Sequence, residues 1–165
     1  MANPPSPEAQ LDQAITIARA SPNRVRHVGA VLWPTDGGAP LQACNSFPWG
    51  VHDTEQRHQG DGRLVWMEHA ERNAIYAAAR AGRSTDGASL ASSYFPCLDC
   101  ARAIIQAGIR HLVTMPPDLD DPVWGESFGP SHTMLQEAGV QLHFSPRDAA
   151  KAQAQTMQPP EADCP

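Results

Sequence analysis

The stretches "MEHAERNAIYAAAR" (67–80) and "YFPCLDCARAIIQAG" (94–108) decide how this chain folds. Each sets metal-capable side chains where a helix begins: His69 and Glu71 in the first, Cys97 and Cys100 in the second. In the first, Ala74, Ile75 and Ala78 form a narrow apolar stripe, which predicts a helix over 68–81. In the second, Pro96 suits a helix start, and Ala101, Ile104 and Ile105 recur at helical spacing. Gly108 supplies the stop, so a helix is predicted over 97–107. Residues 89–94, between the two, read as a strand.

Working outward, Leu11, Ile15, Ile17 and Ala18 give 8–20 a helical spacing that Ser21-Pro22 ends. A short apolar run at 28–32 stops at Pro34 and the Asp36-Gly37-Gly38 turn, with 41–44 as its hairpin partner. Residues 45–63 show little periodicity and read as a loop, longer than an idle connection usually is and so a binding element. Beyond the second motif come a strand at 111–114, an irregular stretch at 115–128, a helix at 131–138 ended by Gly139, and a strand at 140–144. The order α-β-β-α-β-α-β-α-β predicts an α/β fold. It is a three-layer α/β/α sandwich around a single mixed sheet of about five strands. One domain is expected over 8–145, with flexible tails at 1–7 and 151–165.

The chain has 165 residues, 41% apolar and 18% charged, ordinary values for a globular protein. No apolar run reaches the length of a membrane span, and the N-terminus does not read as a secretory signal, so a cytoplasmic protein is expected. The formal charge is −6, from 18 acidic against 12 basic residues. That balance argues against a long nucleic acid, whose binding draws most of its affinity from neutralised phosphates. It does not argue against a small nucleotide, since one or two arginines hold a single phosphate. No glycine-rich phosphate loop is present. Of the four cysteines, Cys44 reads as a buried packing residue and Cys164 as a bystander.

Singly, His69 reads as a packing or surface histidine, Glu71 as a solvated helix residue, and the cysteine pair as half of a zinc ribbon that lacks its other half. Together they point elsewhere. One His and two Cys leave the fourth tetrahedral position of zinc open, the mark of a catalytic site. Two helix starts at one sheet edge favour thiolates, through their dipoles and free N–H groups. Glu71, two residues after His69, can lie beside the metal rather than on it. From there it can take a proton from zinc-bound water, whose pKa falls to roughly 7, and pass it on. His-x-Glu followed by Pro-Cys-x-x-Cys is the constellation of zinc nucleobase deaminases.

The sequence resembles the cytidine and deoxycytidylate deaminase superfamily, and within it the deoxycytidylate (dCMP) deaminases. "HAERNAI", "PCLDCARAIIQAGI" and "HVGAVL" (27–32) are similar to that branch, and "NSFPWGV" (45–51) resembles its nucleotide-closing loop. The resemblance implies zinc on His69, Cys97 and Cys100, and Glu71 as proton shuttle. It implies a sugar contact from Asn45 and a phosphate contact from Arg26. Ala70, Asn73 and Pro96 would belong to the same pocket, with Trp124 as a stacking wall and Phe128 as core. A homo-oligomer acting on a small nucleotide or nucleobase follows by resemblance.

The chain also departs from that branch. Ala43-Cys44-Asn45-Ser46 stands where relatives often have Gly-Tyr-Asn-Gly, so allosteric control by a triphosphate is not expected. Ala91-Ser92-Ser93 replaces Tyr-x-Thr. No tyrosine follows the fourth strand, where Trp124 and Phe128 stand instead. These changes leave another base, nucleoside or modified nucleotide open as substrate. A transfer-RNA editor would want a basic surface. A non-catalytic zinc protein could have lost Glu71, which is present here. His52, Asp53, His58 and Asp61 fit no metal template and read as a polar loop.

Overall fold

The computed structural model describes residues 4–145. The main elements are α1 (Pro7–Ala18), β1 (Gly29–Trp33), β2 (Leu41–Cys44), α2 (Glu55–His58), α3 (Gly62–Trp66) and α4 (Ala70–Arg80). They continue with β3 (Ser89–Ser92), α5 (Leu98–Gln106), β4 (His111–Thr114), α6 (Gly125–Glu137) and β5 (Gln141–Phe144). One mixed sheet runs β2-β1-β3-β4-β5. β1 is antiparallel to both β2 and β3, while β3, β4 and β5 are parallel. The expected sheet and layer arrangement is the observed one.

Both faces of the sheet are covered, which is why its central strands are buried almost without a break. On one face Ala30, Leu32, Leu90 and Leu112 pack with Ala74 and Ala78 of α4, Ile104 of α5, and Phe128 and Leu135 of α6. On the other, Val31, Ala91 and Val113 pack against Leu11, Ala14 and Ile15 of α1. Fully burying a side chain such as Leu135 or Ile104 is worth about 1.5–3 kcal/mol. Gly29 lets α1 come close: a Cβ there would lie 2.1 Å from the Ala14 carbonyl oxygen. At the start of α1, the Ser6 hydroxyl accepts from the Ala9 N–H and Pro7 takes the first turn, so Pro7 belongs to the helix rather than to the tail. Residues 151–165 and Cys164 lie outside the described residues.

Two segments differ from expectation. The stretch 45–63 is not a bare loop: α2 lies within it and α3 begins at its end. Each is a single turn, too short for periodicity to register, and tertiary contacts hold both. Glu55 pairs with Arg24, the Arg57 guanidinium lies 4.0 Å from the Trp66 ring centroid, and His58 packs edge-on against Phe47. The last helix begins at Gly125, six residues before the expected start, and carries Pro130 inside it. Asp121 holds the turn that leads into this helix, its Oδ1 accepting from the Val123 and Trp124 N–H groups. Pro130 lies early enough that the N–H it lacks leaves only the Glu126 carbonyl, near the helix start, without its helical donor.

Candidate active site

The topology brings the site together. Because β1 runs against β3, the entry to β1 and the exit of β2 share an edge with the carboxyl ends of β3 and β4. Open α/β sheets bind ligands at such an edge. There the chain places Arg26 and Val28 before β1, Asn45 after β2, the starts of α4 and α5, and the segment from β4 to α6. These surround a cleft at that edge.

His69 and Cys97 are the N-cap residues of α4 and α5, both in extended backbone. The Glu68 carboxylate accepts from the His69 N–H at 2.8 Å, and the same oxygen accepts from Arg72 Nε at 2.6 Å. Cys97 Sγ and Cys100 Sγ lie 3.5 and 3.4 Å from His69 Nδ1. The three donor atoms all fall within 4.8 Å of one another, and among the described residues no other such group occurs. A tetrahedral zinc, with about 2.0 Å to nitrogen and 2.3 Å to sulfur, sets such donors roughly 3.6 Å apart. The residues present therefore fit the ion. The Cys97 thiol is pushed down to about 4, chiefly by the hydrogen bond from Cys100; burial opposes the shift and His69 supports it. Cys100 is pushed up in turn, by its hydrogen bond with Cys97 and by burial.

Glu71 is buried, and its Oε2 has no hydrogen-bond partner in the structure. Burial pushes its carboxyl up, against the pull of His69 and with the push of Cys97. A buried carboxyl with a free oxygen, facing a cleft beside three metal-capable donors, is suited to carrying protons.

Four of the six expected pocket residues line this cleft: Arg26, Asn45, Ala70 and Trp124. Asn73 does not. It lines a groove between β2 and α4, and its amide donates to the Cys44 carbonyl at 2.9 Å and to Ser46 Oγ at 3.2 Å. The helix explains this, because Asn73 is two residues past Glu71 and so off its face. Pro96 is also absent from the lining: it is fully buried, and its carbonyl accepts from Ser131 Oγ. Phe128 is core at 1% exposure, while its ring also meets the cleft. The Asn45 side chain is already engaged, accepting from the Val28 N–H at 2.8 Å and donating to the Arg26 carbonyl at 2.9 Å. In the long loop, His58 Nε2 pairs with Asp53 Oδ1, and Cys44 is buried at the end of β2.

Tyr94, Arg63 and Asp121 are among the residues of the cleft region that escaped the sequence reading. Tyr94 and Arg63 line the cleft, and Asp121 stands behind Arg26. Asp121-Pro122 ahead of Trp124 was the available signal, since Asp before Pro marks a helix start. Tyr94 carried no such mark.

The fold and this donor set define a zinc-dependent hydrolase of nucleobase amines. A family model described as the cytidine and deoxycytidylate deaminase zinc-binding region matches residues 5–115, and the chain belongs to that family. It is 35% identical over 109 residues to an uncharacterized deaminase in the luxG 3'region of Aliivibrio fischeri, covering 65% of this chain and 71% of that protein. It is 40% identical over 80 residues to the deoxycytidylate deaminase of Enterobacteria phage T2, covering 48% of this chain but only 39% of that one. Among solved structures, the dCMP deaminase from the cyanophage S-TIM5 in complex with dCMP and dUMP superposes with a TM-score of 0.68. That match has 25% identity and covers 88% of this chain and 100% of the other.

Proposed function

We propose that the protein deaminates the cytosine of dCMP hydrolytically, giving dUMP and ammonia. The observation that carries this reading is the buried Glu71 carboxyl, which has an oxygen without a hydrogen-bond partner and lines the cleft next to the His69, Cys97 and Cys100 cluster. In the proposal those three residues hold zinc, which when bound supplies an activated water. Glu71 carries both protons of the attacking water in turn, the first to the adjacent ring nitrogen N3 and the second to the departing amine. The water oxygen bonds to the ring carbon, the carbon–nitrogen bond breaks, and ammonia leaves.

Trp124 walls the base, and every base offers a π-face for that contact. Asn45 has two amide N–H groups, of which one is used on Arg26, so the other is left for the sugar. Arg26 takes the phosphate. The names of the phage relatives support dCMP among cytosine compounds. No helix among the described residues is long and apolar enough to cross a membrane. A cytoplasmic site of action belongs to the same proposal. Self-association belongs to it too, and Trp49 at 86% exposure offers apolar surface for that contact.

One observation favours a second substrate: Arg26 is already paired with Asp121, which would suit an unphosphorylated nucleoside. Ammonia release from dCMP, CMP, deoxycytidine, cytosine, adenosine and guanine decides between the two. The expected result is preference for dCMP. In Glu71→Ala, turnover should fall by on the order of 10²–10⁴-fold with zinc retained. Activity that survives this substitution would refute the proposed chemistry.

A further inference from the structure

Asp121 is a carboxylate whose two oxygens do different work. Oδ1 holds the turn before α6 through the Val123 and Trp124 N–H groups. Oδ2 accepts from the Tyr94 hydroxyl at 2.6 Å and from Arg26 NH1 at 2.7 Å. The Asp121 side chain is 2% exposed, against 26% for that of Arg26. The Arg26 guanidinium carbon also lies 4.2 Å from the centre of the Tyr94 ring. One side of the guanidinium is thus fixed by a buried anion and one face by an aromatic plane. A guanidinium has five N–H donors, so most of them remain for the cleft.

Holding a long cation in one place before the ligand arrives removes the cost of ordering it on binding. We propose that Asp121 and Tyr94 are positioning residues: they act through Arg26, presenting its unused N–H edge to a phosphate monoester on the substrate. This rests on the reading of the substrate as a nucleotide. If Asp121 served only to hold the turn before α6, its Oδ2 would have no bearing on phosphate. If it served only to cancel the charge of Arg26, removing it would tighten phosphate binding.

The two variants separate these roles. Asp121→Asn keeps an oxygen for the turn before α6 but turns a donor toward Arg26 and Tyr94. Tyr94→Phe keeps the ring under the guanidinium and removes only the hydroxyl. The measurement is the ratio of kcat/KM for dCMP to that for deoxycytidine in the zinc-loaded full chain. Asp121→Asn should lower this ratio about tenfold, the worth of one hydrogen bond to a charged group, and mostly through KM for dCMP. Tyr94→Phe should shift it the same way by less. In an Arg26→Ala background, Asp121→Asn should lower the ratio no further, because the group it positions is gone.

A ratio that stays level or rises in Asp121→Asn, while Arg26→Ala lowers it, overturns the positioning role and leaves the substrate reading standing. A further drop in the double variant also overturns it, since the effect would then bypass Arg26. A wild-type protein that turns over deoxycytidine as well as dCMP removes the substrate reading and this proposal together.

Discussion

Trp124 meets His69 edge to face, with ring centroids 5.2 Å apart and planes at 90°. The residue that opens α6 therefore braces the histidine that opens α4, and its ring also walls the cleft. Trp124→Ala is expected to raise KM for the substrate roughly tenfold, since base–aromatic stacking is worth about 1–3 kcal/mol. Trp124→Phe should recover most of that loss. Steady-state kinetics of the two variants checks this, and an unchanged KM in the alanine variant would remove Trp124 from the base site.

Cys100 has two neighbours in the donor cluster and is fully buried, so water has little room to replace its sulfur. Cys100→Ser should weaken zinc retention by on the order of 100-fold or more, beyond what the loss of an outer contact costs. Zinc content after dialysis against a competing chelator, read by atomic absorption, reports this directly. Arg26→Ala, treated the same way, should keep its zinc.

Much of this site was legible because its chemistry lies in two contiguous stretches. His69, Glu71, Cys97 and Cys100 needed only the helix starts to be placed correctly, and the apolar stripes around Ala74 and Ile104 did that. What stayed hidden depends on contacts between distant segments. Tyr94 and Asp121 are 27 residues apart and meet only because β3 and β4 are neighbours. Asn73 misled because its neighbours in sequence belong to the cleft while its own direction on α4 takes it to the Cys44 carbonyl. The turns of α2 and α3 carry no periodicity, so only the folded partners Arg24 and Trp66 reveal them.

Asn45 joins the exit of β2 to the entry of β1 by two hydrogen bonds in a nearly dry setting. Asn45→Ala leaves the Val28 N–H and the Arg26 carbonyl without those partners, at a cost of about 2 kcal/mol. Asn45→Asp keeps an acceptor for Val28 but sets an anion against the Arg26 carbonyl, so it should not restore stability. Urea unfolding of the three proteins tests this. An alanine variant as stable as the parent would mean that water takes over both bonds.

Acid should act on the same cleft through Asp121. Burial pushes this carboxyl up, but the Tyr94 hydroxyl, the Trp124 N–H, Arg26 and the Val123 N–H together outweigh it. The folded chain therefore holds the group well below the ordinary carboxylate range. A group whose pKa is depressed on folding stabilises the fold above its unfolded pKa, here about 3.9, and loses that contribution as pH falls toward the folded value. Asp121→Asn should thus be less stable than the parent by a constant margin from neutral pH down to about 5, and the margin should close as pH drops below about 4. Thermal unfolding of both proteins across that range measures the margin. A difference that persists unchanged in acid would assign the loss to the amide donor turned toward Arg26 and Tyr94 rather than to the charge on Oδ2.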